Sequence, residues 1–168
     1  MITALQHVPA WVFVLLAALV AVGVSQSFPH QVRLRRVTIL PVVLIGLSLT
    51  GVVTAFGSQP LALLAWAGGL AAAVAALHGR VDTSAVRFSA QTQHFSLPGS
   101  WVPLMLLLGL FAIKFGVGMM RALHPELASS ASLALPASAA YGVFSGLFLG
   151  RAMALWSLAR EALSLQSA

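Results

Sequence analysis

Apolar residues occur in five long stretches along the chain, and short polar segments separate them. A helix that crosses a bilayer needs about 20 predominantly apolar residues, so 168 residues have room for five such helices with short connections. The pattern predicts a single all-α domain over residues 1–168, a polytopic membrane protein built as a bundle of five transmembrane helices. The spans are predicted at about 9–24, 37–56, 61–77, 101–120 and 134–156.

The first stretch has a second interpretation, as a secretory signal peptide. The residues before it contain no Lys or Arg, only His7. Residues 22–25 (VGVS) also match a small-residue cleavage site poorly. We therefore expect the first stretch to be retained as a membrane helix.

Arginine residues are distributed unequally between the two ends of the predicted helices. One side carries only Arg121, whereas the other carries seven arginines: Arg33, Arg35, Arg36, Arg80, Arg87, Arg151 and Arg160. Basic residues near the ends of membrane helices accumulate on the cytoplasmic side. The distribution therefore predicts an N-terminus outside and a C-terminus in the cytoplasm.

The composition supports a membrane protein and excludes several other classes. Hydrophobic residues make up 60% of the chain and charged residues 7%, whereas soluble domains carry about 25% charged residues. An ordinary soluble enzyme and a disordered chain are thereby excluded. Nearly all of the basic residues that give the net charge of +6 lie in short gaps between the apolar stretches, so the charge indicates membrane orientation and not a nucleic-acid partner. The absence of cysteine excludes disulfides, thiolate metal sites and a cysteine nucleophile.

The connection between the third and fourth spans is the longest polar segment. Residues 86–88 and 94–97 show short alternations of apolar and polar side chains on either side of a polar stretch. One interpretation is a short cytoplasmic hairpin that closes over the inner mouth of the bundle. The other is a plain surface loop.

Lys114 lies deep inside the predicted fourth span. It follows Trp101 by 13 residues, which corresponds to about 20 Å along a helix. An ionisable side chain at that depth is costly and marks a candidate functional site. Three acidic residues occur in the chain, and all lie outside the predicted spans: Asp82, Glu126 and Glu161. A charged Lys114 would need backbone carbonyls, Tyr141, water, another subunit or an anionic ligand; alternatively, it snorkels toward the outer interface.

Small residues recur every fourth position in the fifth span: Ser138, Gly142, Gly146, Gly150 and Ala154. This spacing places them on one helix face, where they allow another backbone to approach closely. The third span repeats the pattern more weakly, with Ala65, Gly69 and Ala73. The glycines predict packing within the chain or between two copies of it.

No arrangement of residues indicates catalysis. The predicted spans contain no pair of carboxylates, and Tyr141 and the serines have no adjacent base. All five histidines lie at span ends or in connections, which argues against haem ligation within the bundle. We therefore expect no enzyme activity, no cofactor and no metal site.

Several segments resemble a family of small bacterial inner-membrane proteins of unknown function. The similarity is carried by residues 95–104 (FSLPGSWVPL) and 111–115 (FAIKF). Further similar segments are residues 6–12 (QHVPAWV), 25–26 (SQ) and 142–151 (GVFSGLFLGR). The resemblance implies a multi-pass protein of the bacterial cytoplasmic membrane, and it implies no activity.

Two classes of function follow from these patterns. The first is a structural or accessory membrane protein, which packs through its small-residue faces in a homodimer or a larger membrane complex. The second is a small transporter or binding protein for an anionic or lipid-like ligand, with Lys114 and Tyr141 at the binding site. A third class, a redox protein, would require a chromophore or metal visible in an absorption spectrum.

Overall fold

The computed structural model describes residues 10–57, 59–89, 92–124 and 130–166. It is mostly helical, at 77%. The described helices are α1 (Ala10–Ser25), α2 (Leu34–Phe56), α3 (Pro60–Leu77), α4 (Val102–Leu123) and α5 (Ala131–Gln166). The described strands are β1 (His30–Arg33), β2 (Arg87–Ser89) and β3 (His94–Leu97). The predicted start of the first span at residue 9, and Glu126, lie outside these residues.

Within the described residues, four helices are long and apolar enough to cross a membrane, namely α2, α3, α4 and α5. Helix α1 is apolar as well, but at 16 residues it is shorter than the others. The junction between α2 and α3 shows why the boundaries could be predicted. Helix α2 ends at Phe56, and Pro60 occupies the first turn of α3, where its missing N–H costs no helical hydrogen bond.

Helix α5 is longer than the sequence predicts. The predicted span ends at residue 156, but the helix continues to Gln166 and has 36 residues. Its length of about 54 Å exceeds the roughly 30 Å of a hydrocarbon core. The extension (residues 157–166) contains three Leu and two Ala, which favour helix, and it buries Ala159 against the sheet.

Residues 86–97 contain a hairpin and not a plain loop, whereas its cytoplasmic location stays a prediction. Strands β2 and β3 pair antiparallel, with Phe88 opposite Phe95. The sequence did not predict β1, which pairs antiparallel with the other edge of β3 and places Val32 opposite Phe95. The described strands therefore form one three-stranded sheet in the order β1-β3-β2.

The sheet has one apolar face and one polar face, because successive side chains in a strand point to opposite sides. Phe95 is fully buried and packs with Val32 against Ala159 of α5. The rings of Phe88 and Phe95 are 4.7 Å apart between centroids. Arg33 and the residues that alternate with this apolar set remain on the other face. The sheet thus covers the end of the bundle at which most arginines lie.

Helix α5 is the central element of the bundle. It packs against α2, α3 and α4, and the contact with α3 is the most extensive. Helix α1 packs against α4, where Gly23 lies against the side chain of Leu104. The two helices are also joined at their ends, because the N–H of Ser100 donates to the carbonyl of Gln26 over 3.2 Å. This arrangement places α1 at the periphery.

Candidate functional site

Three glycines of α5 line its contact with α3. A β-carbon on Gly142 would overlap the carbonyl oxygen of Trp66. One on Gly146 would lie 2.5 Å from the carbonyl oxygen of Leu70, and one on Gly150 would lie 3.1 Å from the β-carbon of Leu77. At Gly142 and Gly146 the two backbones are therefore closer than any larger residue allows.

Gly69 makes the same kind of approach from the other helix. A β-carbon at this position of α3 would overlap the carbonyl oxygen of Ala139 in α5. Ser138, one residue earlier on α5, is fully buried, and its hydroxyl has no hydrogen-bond partner among the described residues. The predicted stripe of small residues thus lies between α3 and α5 of one chain.

A small polar network connects three helices in the core. The hydroxyl of Ser48 in α2 donates to the backbone carbonyl of Tyr141 in α5 over 3.2 Å. The indole N–H of Trp66 in α3 donates to the same hydroxyl over 2.9 Å. Ser48 is 2% exposed and Tyr141 is 5% exposed. Because buried polar groups are costly without partners, this network favours one relative placement of the three helices.

Lys114 lies on the face of α4 that is turned toward α2 and α5. It is about 18 Å from the start of α4 and about 14 Å from its end. Its ammonium is 5.9 Å from the ring centroid of Tyr141, within the range of a cation–π contact. A β-carbon on Gly51 would lie 3.4 Å from the same nitrogen. Lys114 is nevertheless exposed, so its side chain lies at the surface of the bundle and not in a closed pocket.

A second cation on α4 lies two turns after Lys114. The guanidinium carbon of Arg121 is 5.9 Å from the ring centroid of Phe56, the last residue of α2. The Nε atom of Arg121 is buried and has no hydrogen-bond partner within the described segments. The two cations share one helix face, because residues seven apart lie about two turns apart. Each of them faces an aromatic ring.

The structure brings together two groups of the predicted residues. Lys114 and Tyr141 lie beside each other, and Gly69, Gly142, Gly146 and Gly150 lie at the contact of α3 with α5. Sequence reasoning missed Ser48 and Trp66, and it used Arg121 only as a signal of orientation. The seven-residue spacing of Lys114 and Arg121 was a usable signal. Ser48 and Trp66 had none, because their hydrogen bond joins two helices.

The described residues contain no group of three or more His, Cys, Asp or Glu side chains that could hold a metal ion. Three of the described histidines lie in or beside the sheet or just after α3, and His124 follows the end of α4. His30 and His94 each use a ring nitrogen to bond a backbone carbonyl two residues earlier, over 2.8 Å and 2.6 Å. The side chains of His30 and His94 therefore stabilise local turns.

Comparison with known proteins identifies a family but no activity. The profile of a family of unknown function, DUF6622, matches residues 1–166. The chain belongs to this family. No curated protein matches the chain, and no solved structure matches it. The expected membership of a family of unknown function is confirmed, whereas a bacterial inner-membrane origin stays a prediction.

The contact between α3 and α5 predicts that Gly142→Ala destabilises the bundle. The added methyl group must displace the backbone of α3, at a cost of about 1–3 kcal/mol. This cost outweighs the gain of about 1 kcal/mol in helix propensity. Thermal unfolding of the purified protein in detergent, followed by circular dichroism, measures the difference. Gly116→Ala on α4 is the control, because a β-carbon there meets no atom within 4 Å. Equal effects of the two variants would contradict the close contact.

The exposure of Lys114 predicts that Lys114→Met leaves stability unchanged or raises it. The substitution removes an unpaired charge from an apolar helix and gives up only a cation–π contact of about 0.5–1 kcal/mol. Thermal unfolding measures the effect. A small molecule retained by the wild-type protein in native mass spectrometry, and lost in Lys114→Met, would instead show that Lys114 binds a ligand.

The polar network predicts that Ser48→Ala is destabilising by about 1–3 kcal/mol, since it leaves the Trp66 N–H unpaired in the core. Thermal unfolding measures this effect as well.

Proposed function

We propose that the chain is a multi-pass protein of the bacterial cytoplasmic membrane with a structural or accessory role and no enzymatic activity. In this proposal α1 also spans the membrane, which brings the number of spans to five, and the N-terminus lies outside. Membrane insertion is supported by the large aliphatic side chains that α2 and α3 leave exposed, among them Ile39, Val42, Leu61 and Leu64. Such surfaces are stable in lipid and unstable in water.

The proposed orientation is supported by the position of the sheet. Strands β1 and β2 carry Arg33 and Arg87, and the C-terminal extension of α5 that packs on this sheet carries Arg160. These exposed arginines therefore belong to one end of the bundle. Because basic residues accumulate on the cytoplasmic side, this end is assigned to the cytoplasm.

The accessory role is carried by one observation, a second small-residue face on α3. The first face, with Gly69, is covered by α5. On a neighbouring face, about 100° around the helix from Gly69, Gly68 has no atom within 4 Å of its β-carbon position, and Ala72 and Ala76 follow it at intervals of four residues. All three are exposed. Because such a surface lets a helix of another subunit approach closely, we assign it to a second copy of the chain or to a larger complex.

The alternative, a carrier or binding protein for an anionic or lipid-like ligand, would use Lys114 and Tyr141. Their 5.9 Å contact supplies an exposed cation beside an aromatic ring. The Lys114→Met experiment separates this alternative from the accessory role, because only ligand binding depends on the charge.

The orientation predicts which end of the bundle reacts with a membrane-impermeant maleimide in intact cells. The chain has no cysteine, so each introduced thiol is unique. Ser132→Cys, near the start of α5, should be labelled in intact cells. Ser84→Cys, between α3 and β2, should be labelled only after the inner membrane is opened. The opposite pattern would show an inverted chain, and labelling of both in intact cells would contradict membrane insertion.

The small-residue face predicts a disulfide cross-link between two copies at Ala72→Cys after mild oxidation of native membranes. Gly68→Leu in the same chain should abolish the cross-link, because the larger side chain separates the helices. Met105→Cys on α4 is the control, since it is also exposed but lies among the large side chains of Trp101 and Val102. A cross-link of equal yield at Met105→Cys would indicate random collision and contradict the interface.

A further inference from the structure

An open groove at the arginine-bearing end of the bundle combines two kinds of side chain. Its volume is about 380 Å³. One part is lined by Arg33, the last residue of β1, and by Arg35 and Arg36 in the first turn of α2. The other part is lined by three aliphatic side chains of α2: Ile39, Leu40 and Val43.

None of the described residues that line this groove is acidic. The first turn of α2 contains no acidic residue, and no side chain caps its N-terminus. The N-terminus of a helix carries a partial positive charge, which favours anions. The helix dipole therefore adds to the charge of Arg35 and Arg36. Basic side chains at the start of a helix are unfavourable unless an anion lies nearby.

Two tryptophans mark the same level of the bundle. The indole N–H of Trp156 in α5 donates to the hydroxyl of Thr38 in α2 over 3.1 Å, one turn after Arg35. Trp101, next to the start of α4, is exposed. Tryptophan is enriched at the boundary between hydrocarbon and headgroups. The arginines of the groove therefore lie at headgroup depth, and its aliphatic side chains lie at the depth of acyl chains.

An aliphatic stripe continues from the groove along α2. Leu40, Val43 and Leu47 are exposed, and they follow Arg36 at intervals of four, seven and eleven residues. These intervals place them on one face of the helix. From Arg36 to Leu47 the stripe extends about 16 Å along the helix axis. A cationic cleft is thus continuous with an apolar track that runs into the membrane.

We propose that this groove is a binding site for one anionic phospholipid. The phosphate lies between the guanidinium groups and the N-terminus of α2, and one acyl chain follows the aliphatic stripe. A zwitterionic lipid binds less well because its own cation opposes the three arginines. Free phosphate lacks the acyl chain that the stripe contacts. The inference rests on the proposed placement in a membrane but not on which side of it the groove faces.

The test is a titration of the full chain in neutral detergent with phosphatidylglycerol, followed by native mass spectrometry. We expect a first lipid to bind with higher affinity than phosphatidylcholine with the same acyl chains. Each basic residue near an anionic lipid surface contributes about fivefold in affinity. Arg35→Gln combined with Arg36→Gln should therefore weaken the first binding step about 30-fold. The deacylated headgroup, glycerophosphoglycerol, should compete only weakly.

The matched control is Arg80→Gln combined with Arg160→Gln. It removes the same charge from exposed positions outside the groove, and it should leave the first step nearly unchanged. Equal losses in both double variants would overturn the proposal in favour of a diffuse surface charge. Full competition by the deacylated headgroup would also overturn it, because the site would then bind a free anion.

Failure of the lipid site can be told apart from failure of the membrane placement. A chain that needs detergent for solubility, yet binds phosphatidylglycerol and phosphatidylcholine equally, contradicts the groove alone. A chain that stays soluble and helical without detergent and binds neither lipid contradicts the membrane placement itself. Circular dichroism of each variant establishes that the bundle is intact before the titration.

Discussion

The bundle depends on the close approach of two backbones, those of α3 and α5. Within a bilayer, apolar surface gains little by moving from lipid to protein, so helices associate through dense packing and hydrogen bonds. Gly69 on one helix and Gly142 and Gly146 on the other permit a separation that any β-carbon would prevent. The other helices pack around this pair: α2 and α4 contact α5, and α1 contacts α4.

The polar groups of the bundle are placed by this contact. Trp66 belongs to the same stretch of α3 that Gly142 approaches, and its indole reaches the hydroxyl of Ser48 on α2. The carbonyl of Tyr141, one residue before Gly142, accepts the hydrogen bond from that hydroxyl. The network is therefore located beside the close backbone contact at Gly142, and a shift of α2 would break both hydrogen bonds.

The helices could be predicted from the sequence because each corresponds to a long, predominantly apolar stretch of residues. The glycine face could also be predicted, since a four-residue interval is visible in a single helix. Strand β1 could not, because its four residues (HQVR) read as a polar connection until β3 lies beside them. The extension of α5 was missed for a related reason. Its residues beyond Trp156 lack the apolar character of a span, and only the sheet gives Ala159 a surface to pack on.

In the candidate site, too, some features can be predicted from one helix alone and others depend on how the helices pack. The depth of Lys114 follows from counting residues, but its position near Tyr141 depends on how α4 packs against α5. Ser48 and Trp66 are ordinary residues of apolar helices when each is read alone. A hydrogen bond between two helices produces no periodic pattern in the sequence of either helix. It can therefore be recognised only from the structure, in which the positions of both helices are known.

The central position of α5 has a consequence for how the protein is made. Helices α2 and α3 precede α5 in the chain, so in the proposed membrane placement they are inserted first. Each would be stable there alone, because its backbone hydrogen bonds are internal. The surfaces that α5 covers on them would then stay in contact with lipid or with the insertion machinery until residues 131–166 have been translated. In that placement the contact on which the bundle depends forms only after α2 and α3 have been inserted.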